Sequence, residues 1–369
     1  MIDKVHTLLI LILALGVAFP ICSKAQENGG NGAVFAMTNS ADHNEIIAYE
    51  RSSTGWLRPT HRFATGGRGS GGTADPLGSQ GSLILTQNRQ FLLAVNAGSG
   101  DISVFRVSGA MLQLQDRVPS GGSEPVAIAQ YRNLVYVVNA GGNSSVVGFR
   151  LNANGQLSQI PGSTTFLSTS NSGPGSVVFA PGGQQVLVTE KVTNLIDVFN
   201  VQADGTLGTI VSNASAGTGA FAVAFAPNGA ALVSETAGAL SSYAVQSDGK
   251  LVTISASVPT LGAATCWQAV TPDGRFVYTS NAGSSTISGF MIGNNGSLTA
   301  LPGTIVATLP SASMNLDMGI SADGKFLYTL DSGTGKVSIF SIGTDGMLNS
   351  VGEVGGFAAS SGVNGLAAM

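Results

Sequence analysis

Glu190 and Glu235 are the residues of this chain best suited to acid–base chemistry. They stand at one register of a repeated block, just after its second strand, where the other copies carry Asn39, Asn96, Asn139, Asn281 and Asp331. Asparagine and aspartate close turns on their own backbone, whereas glutamate gains little there. Two glutamates in adjacent copies therefore argue for a site, against the plainer reading of solvated surface charge. Carboxylates whose surroundings push their pKa values apart divide the roles of general acid and base. Lys191, beside Glu190, would stabilise developing negative charge or pair with a carboxylate. The same carboxylates, with carbonyl or asparagine oxygens, would also suit a divalent cation such as Ca²⁺.

The expected substrate-binding groups are Trp267, Glu124, Asn281, Asp331 and Asn315, with Asp317 and Asn364 on the same face. Trp267 offers a ring to stack on a sugar or aromatic ligand, or a packed channel wall. Cys266 reads as an inert strand residue, because a nucleophilic thiol needs an activating base. His43 falls in a turn and His61 in an outer strand, away from it. The chain has no Gly-x-Ser-x-Gly elbow and no Cys/His cluster of the kind that holds zinc.

These groups are positioned by a block that occurs seven times: a short apolar strand, a polar turn, a strand ending near an aromatic, and a hairpin ending in leucine. The closing leucines are Leu57, Leu112, Leu157, Leu207, Leu251, Leu298 and Leu348, at intervals of 55, 45, 50, 44, 47 and 50 residues. Such a period, with several short strands in each copy, is that of propeller blades. Side chains alternate with period two, as over 102–107, and Asn-Gly or Asp-Gly pairs at 154–155, 204–205, 248–249, 295–296 and 345–346 mark the hairpins. The sequence thus predicts an all-β, seven-bladed β-propeller over 33–369.

Another apolar strand precedes each later copy, at 82–86, 125–129, 176–180, 221–226, 266–271 and 316–321. The first copy lacks one, and the spare lies at 363–369. The C-terminal strand should therefore close the ring against the first blade, leaving no free sheet edge. The glycine-rich stretch 66–72 reads as a mobile connector, since no strand–glycine–helix pattern makes it a phosphate loop.

Residues 1–25 read as a signal peptide: Lys4, an apolar run over 8–19, and small residues before a cleavage point after Ala25. The run is short of the roughly 20 apolar residues that a bilayer span needs. Residues 26–32 follow as a flexible N-terminus. The expected location is periplasmic or extracellular. Removing the leader leaves 14 of 16 basic and 19 of 20 acidic residues, a net charge of −5. That balance, without a basic run, excludes the electrostatic footprint of nucleic-acid binding. Only Cys266 remains, so no internal disulfide forms, and an apolar content of 43% supplies a core instead. The protein is expected to be a monomer with no membrane span after cleavage.

The copies at 135–157, 275–298 and 325–348, with phrases such as Thr271-Pro272-Asp273-Gly274-Arg275-Phe276-Val277-Tyr278, resemble the lactonase-type seven-bladed propellers, which include 6-phosphogluconolactonase and carboxymuconate cyclase. The resemblance implies a lactone hydrolase or cycloisomerase, acting on a sugar-acid or muconolactone-type ring at the channel mouth. It also implies a histidine-bearing stretch before inner strands, and a cleft lined by arginine and glutamate. The comparable stretch 172–176 has no histidine, and Glu190 or Glu235 would take the glutamate's part. The competing expectation is a non-catalytic secreted or periplasmic scaffold that binds a glycan, peptide or protein.

Overall fold

The computed structural model describes residues 32–369, so the expected leader and all but the last residue of the flexible N-terminus lie outside it. The described residues form seven antiparallel sheets and no α-helix. The chain is an all-β, seven-bladed propeller. Six blades run from inner to outer strand in chain order. Their inner strands are Leu83–Leu85 (blade 2), Ser123–Tyr131 (blade 3), Pro174–Phe179 (blade 4), Ala220–Phe225 (blade 5), Thr265–Val270 (blade 6) and Asn315–Ile320 (blade 7).

Blade 1 is closed by both ends of the chain. Leu366–Ala368 pairs with Gly32–Met37 through Val34 with Ala368, Phe35 with Ala367 and Ala36 with Leu366. The expected seam is thus present. Gly32, assigned to the flexible N-terminus, instead opens this strand opposite Arg51.

The second strands begin apolar and end polar at the rim, and they are buried because sheets cover both of their faces. Phe91–Asn96, Ala230–Glu235, Phe276–Asn281 and Phe326–Asp331 are buried at every residue, whereas the outer strand Leu57–Ala64 is largely exposed. Hairpin tips lock neighbouring blades together. Gly155 holds φ +86°, and a Cβ there would meet the Phe91 ring of the preceding blade at 2.6 Å. Gly55 stands on Phe326 in the same way across the seam, so the aromatic at the start of one second strand requires glycine at the next blade's tip.

The connector between blades 1 and 2 departs from expectation. Residues 66–72 are docked on the rim: the amide of Asn39 donates to Ser70 Oγ at 3.0 Å, and Gly69 N donates to Ser40 O at 2.7 Å. Beyond them, residues 74–82 cross the channel. Ser79 Oγ donates to Val126 O of blade 3 at 2.8 Å, Gln80 N to Gly175 O of blade 4 at 2.8 Å, and Gln80 Nε2 to Gln268 O of blade 6 at 2.7 Å. One short segment therefore ties three blades across the axis.

Candidate functional site

In blades 2, 6 and 7 the rim residue is tied within its own blade. Asn96 donates to Ser103 Oγ at 2.8 Å, Asn281 to Ser288 Oγ at 2.8 Å, and Asp331 accepts from Ser338 Oγ at 2.5 Å. Each pair links the end of the second strand to the residue seven positions on, in the third strand. Asn281 and Asp331 are fully buried in these links. Glu190 and Glu235 follow the same plan with one more methylene, which carries their carboxylates to the connector entering their own blade. Glu190 accepts from Ser168 N at 2.9 Å and from the hydroxyls of Ser168 and Thr193. Glu235 accepts from Ser215 Oγ at 2.9 Å, Gly217 N at 2.7 Å, Ser241 Oγ at 2.7 Å and Ser257 Oγ at 2.8 Å. Both glutamates are 0% exposed. Neither lines the cavity described below.

At the third-strand position that holds serine in blades 2, 6 and 7, blade 4 has Asp197. Burial, then the neighbouring Glu190, push its pKa up to about 8. Asp331, buried, rises to about 8, and Asp317, also buried, to about 7. The folded chain thus holds protons that the unfolded chain releases from about pH 4 upward. Stability should fall as pH rises from about 5 to about 8 and level off above that. The melting temperature should drop by about 5 °C or more over this range. Asp197→Ser, which restores the serine of the other blades, should raise the melting temperature at about pH 8 and flatten the profile. A wild-type melting temperature that is constant or rises across the range would contradict these assignments.

The space for a ligand lies between blades 6 and 7, on the face carrying the connectors into inner strands. A cavity of about 600 Å³ opens there. Its walls are Cys266 and Trp267 from one inner strand, Leu316 from the next, the rim turn 282–285 and the connector residues Ser311, Ala312 and Met314. Its size suits a small molecule. The backbone around it is strained. In blades 3 to 7 the residue before the inner-strand partner of the rim residue is left-handed: Glu124 (φ 55°), Gly173, Gly219, Ala264 (φ 53°) and Met314 (φ 47°). Two blades use glycine there, the residue that does so without strain. Blades 6 and 7 place side chains there, and both line the cavity; Ser285 (φ 53°) and Ala312 (φ 63°) add to the strain. Such outliers cluster where function holds them.

The cavity's one charged wall residue is Asp75, from the segment that crosses the channel. Its Oδ1 accepts from Gly78 N at 2.9 Å and from the Asn364 amide at 3.1 Å, while Asn364 accepts from Ser82 Oγ at 2.8 Å. Burial raises the pKa of Asp75 above the carboxylate norm, and its hydrogen bonds and Lys191 oppose the rise. Lys191 leaves Glu190 and reaches inward from the rim of blade 4. Its ammonium donates to Gly78 O and lies 5.2 Å from the Phe221 ring centre. A Cβ on Gly78 would lie 2.8 Å from Nζ of Lys191 and 3.9 Å from Oδ2 of Asp75, so the two charges flank this turn. Burial lowers the Lys191 pKa, against the pull of Asp75, Cys266 and Glu124.

Trp267 is 1% exposed, donates from Nε1 to Ser79 O at 2.9 Å and meets Phe221 edge-on at 4.8 Å. It is a cavity wall rather than an open stacking platform. Asn315 is buried and donates to Thr286 O at 3.0 Å. Asp317 accepts from Met318 N at 3.0 Å and Leu366 N at 3.1 Å, close enough to Asp75 to feel its charge. Burial raises the Cys266 thiol to about 12, and no histidine approaches it among the residues that shift its pKa. Among the described residues no three His, Cys, Asp or Glu side chains gather as metal ligands. Asp75 escaped the sequence reading because it belongs to no repeat. Its one signal is that the interval from Leu57 to Leu112 is the longest of the six.

Residues 223–362 match the family model for lactonase, 7-bladed beta-propeller. No curated protein matches the chain. Among solved structures, the periplasmic gluconolactonase of Pseudomonas aeruginosa superposes with a TM-score of 0.71 at 17% identity, over 92% of this chain and 98% of that one. A candidate 6-phosphogluconolactonase of Bacteroides uniformis gives 0.69 at 19%, over 92% and 99%. A protein of Lactobacillus plantarum gives 0.72 at 17%, over 92% and 100%. At these identities the likeness is one of fold. With the lactonase family model matched across 223–362, the repeats' resemblance to the lactonase-type seven-bladed propellers is borne out.

Proposed function

We propose that the protein hydrolyses a small lactone in the cavity between blades 6 and 7, with Asp75 as general base and Lys191 as the countercharge. One observation carries the reading: a carboxylate of raised pKa, oriented by Gly78 and Asn364 and faced by an ammonium, forms the charged wall of a cavity of about 600 Å³. The family match supports lactone chemistry. In this reading Glu190 and Glu235 hold the connectors that shape the rim.

The residues would act on a bound ring as follows. Asp75 takes a proton from water as the water oxygen bonds to the lactone carbonyl carbon. Negative charge grows on the carbonyl oxygen; the Lys191 ammonium, behind the Gly78 turn and not in the cavity wall, acts there only through its field and favours the ionised form of Asp75. The ring carbon–oxygen bond then breaks, and the leaving ring oxygen takes up the proton held by Asp75. The product is the open hydroxy acid, with one water consumed. The expected leader and the periplasmic name of the similar P. aeruginosa protein support action outside the cytoplasm.

A pH-stat assay of the purified protein on a panel of five- and six-membered lactones tests the proposal. Acid release well above the buffer rate on at least one lactone is expected. Binding of lactones with no release would favour the scaffold reading, and neither binding nor release would remove the lactone from the account.

A further inference from the structure

We infer that the ligand of this cavity is an uncharged lactone with an apolar body, such as an alkyl-substituted ring, and not a phosphorylated or carboxylate-bearing sugar lactone. This rests on the lactone reading of the same site. The walls are apolar side chains at Ala264, Cys266, Trp267, Ala282, Met314 and Leu316. The polar remainder is Asp75 and the serines at 284, 285 and 311. No lysine or arginine lines the cavity.

Recognition of a phosphate or carboxylate calls for a guanidinium fork, an ammonium or a cradle of backbone N–H groups. The nearby ammonium is Lys191, and it is already engaged by the Gly78 carbonyl. Two carboxyl groups, on Asp75 and Glu124, act on Lys191, and Asp317 lies close enough to Asp75 to feel its charge. An anion entering the cavity would meet the Asp75 carboxyl on its wall with no cation on that wall to pair with. A polyhydroxylated ring would lose water from its hydroxyls against Trp267, Met314 and Leu316, which return no hydrogen bond. An alkyl chain gains from the same walls. The ester group itself needs only the Asp75 side of the cavity, where water adds across its acyl carbon–oxygen bond to give a hydroxy acid.

The test compares δ-decalactone, glucono-δ-lactone and 6-phosphoglucono-δ-lactone on the purified protein, by acid release and by calorimetric titration. The expected result is a kcat/KM for δ-decalactone at least about tenfold above that for glucono-δ-lactone, with 6-phosphoglucono-δ-lactone slowest of the three. A rate on either sugar lactone equal to or above that on δ-decalactone would overturn the inference and leave the lactonase reading standing. If no lactone is hydrolysed, the lactonase reading falls. Binding of δ-decalactone alone would then keep the ligand class, and binding of none would overturn it too. Ser311→Arg places a cation on an exposed part of the wall, where the fold tolerates it. It should raise kcat/KM for the phosphorylated lactone at least about tenfold relative to that for δ-decalactone. An unchanged preference in this variant would refute the charge argument.

Discussion

Replacing Asp75 by asparagine should lower kcat for lactone hydrolysis by at least about a hundredfold, with KM within about threefold of wild type. The substitution is nearly isosteric, and an amide oxygen can still accept from Gly78 N and Asn364, so the turn that crosses the channel should keep its shape. What is lost is the ability to take a proton from water. The pH profile adds a readout that a purely structural role would not move. A base acts when deprotonated, so activity should fall as pH falls through the Asp75 pKa, which burial has raised. Lys191→Met removes the charge that opposes this rise. Its acid limb should therefore shift to higher pH than in wild type. Unchanged kcat in Asp75→Asn, measured with the melting temperature in parallel, would end the role assigned to Asp75.

The second large effect concerns the seam. Deleting residues 362–369 should destabilise the protein by about 5 kcal/mol, from the lost burial of Val363, Leu366 and Ala367 and the lost backbone hydrogen bonds. Those bonds include Met37 N to Gly365 O at 3.0 Å and Met369 N to Ala33 O at 2.8 Å. The loss is a large share of a typical domain's stability, and it bares the edge of Gly32–Met37 to other chains. The same deletion takes away Asn364, which orients Asp75, and the Leu366 N–H that supports Asp317. Melting temperature and activity should therefore fall together. A truncated protein that melts within about 2 °C of wild type would show that the ring does not depend on this strand.

The two effects show which parts of the molecule the sequence makes legible. Blades repeat, so the leucines, the Asn-Gly tips and the spare strand at 363–369 recur often enough to be counted. The register of the rim was readable for the same reason, but the direction of its side chains was not. Glu190 and Glu235 break the asparagine pattern, and yet the extra methylene is spent on reaching Ser168 and Gly217 in the incoming connectors. Lys191 was placed by its neighbour in sequence, while its length carries it away to Gly78 and Phe221. Asp75 falls where repetition stops. A segment used once has no period to betray it, and its glycines and proline read as slack until they are seen bridging Val126, Gly175 and Gln268. The strain at Ala264 and Met314 was hidden as well, since five blades must be aligned in space before the three non-glycine residues, Glu124 with these two, stand out at a left-handed position.

A crystal of Asp75→Asn soaked with δ-decalactone asks most directly where the ligand sits. The account predicts ring density between Trp267, Met314 and Leu316, with the ester directed at residue 75. Density on another face of the propeller, with this cavity left vacant, would contradict it.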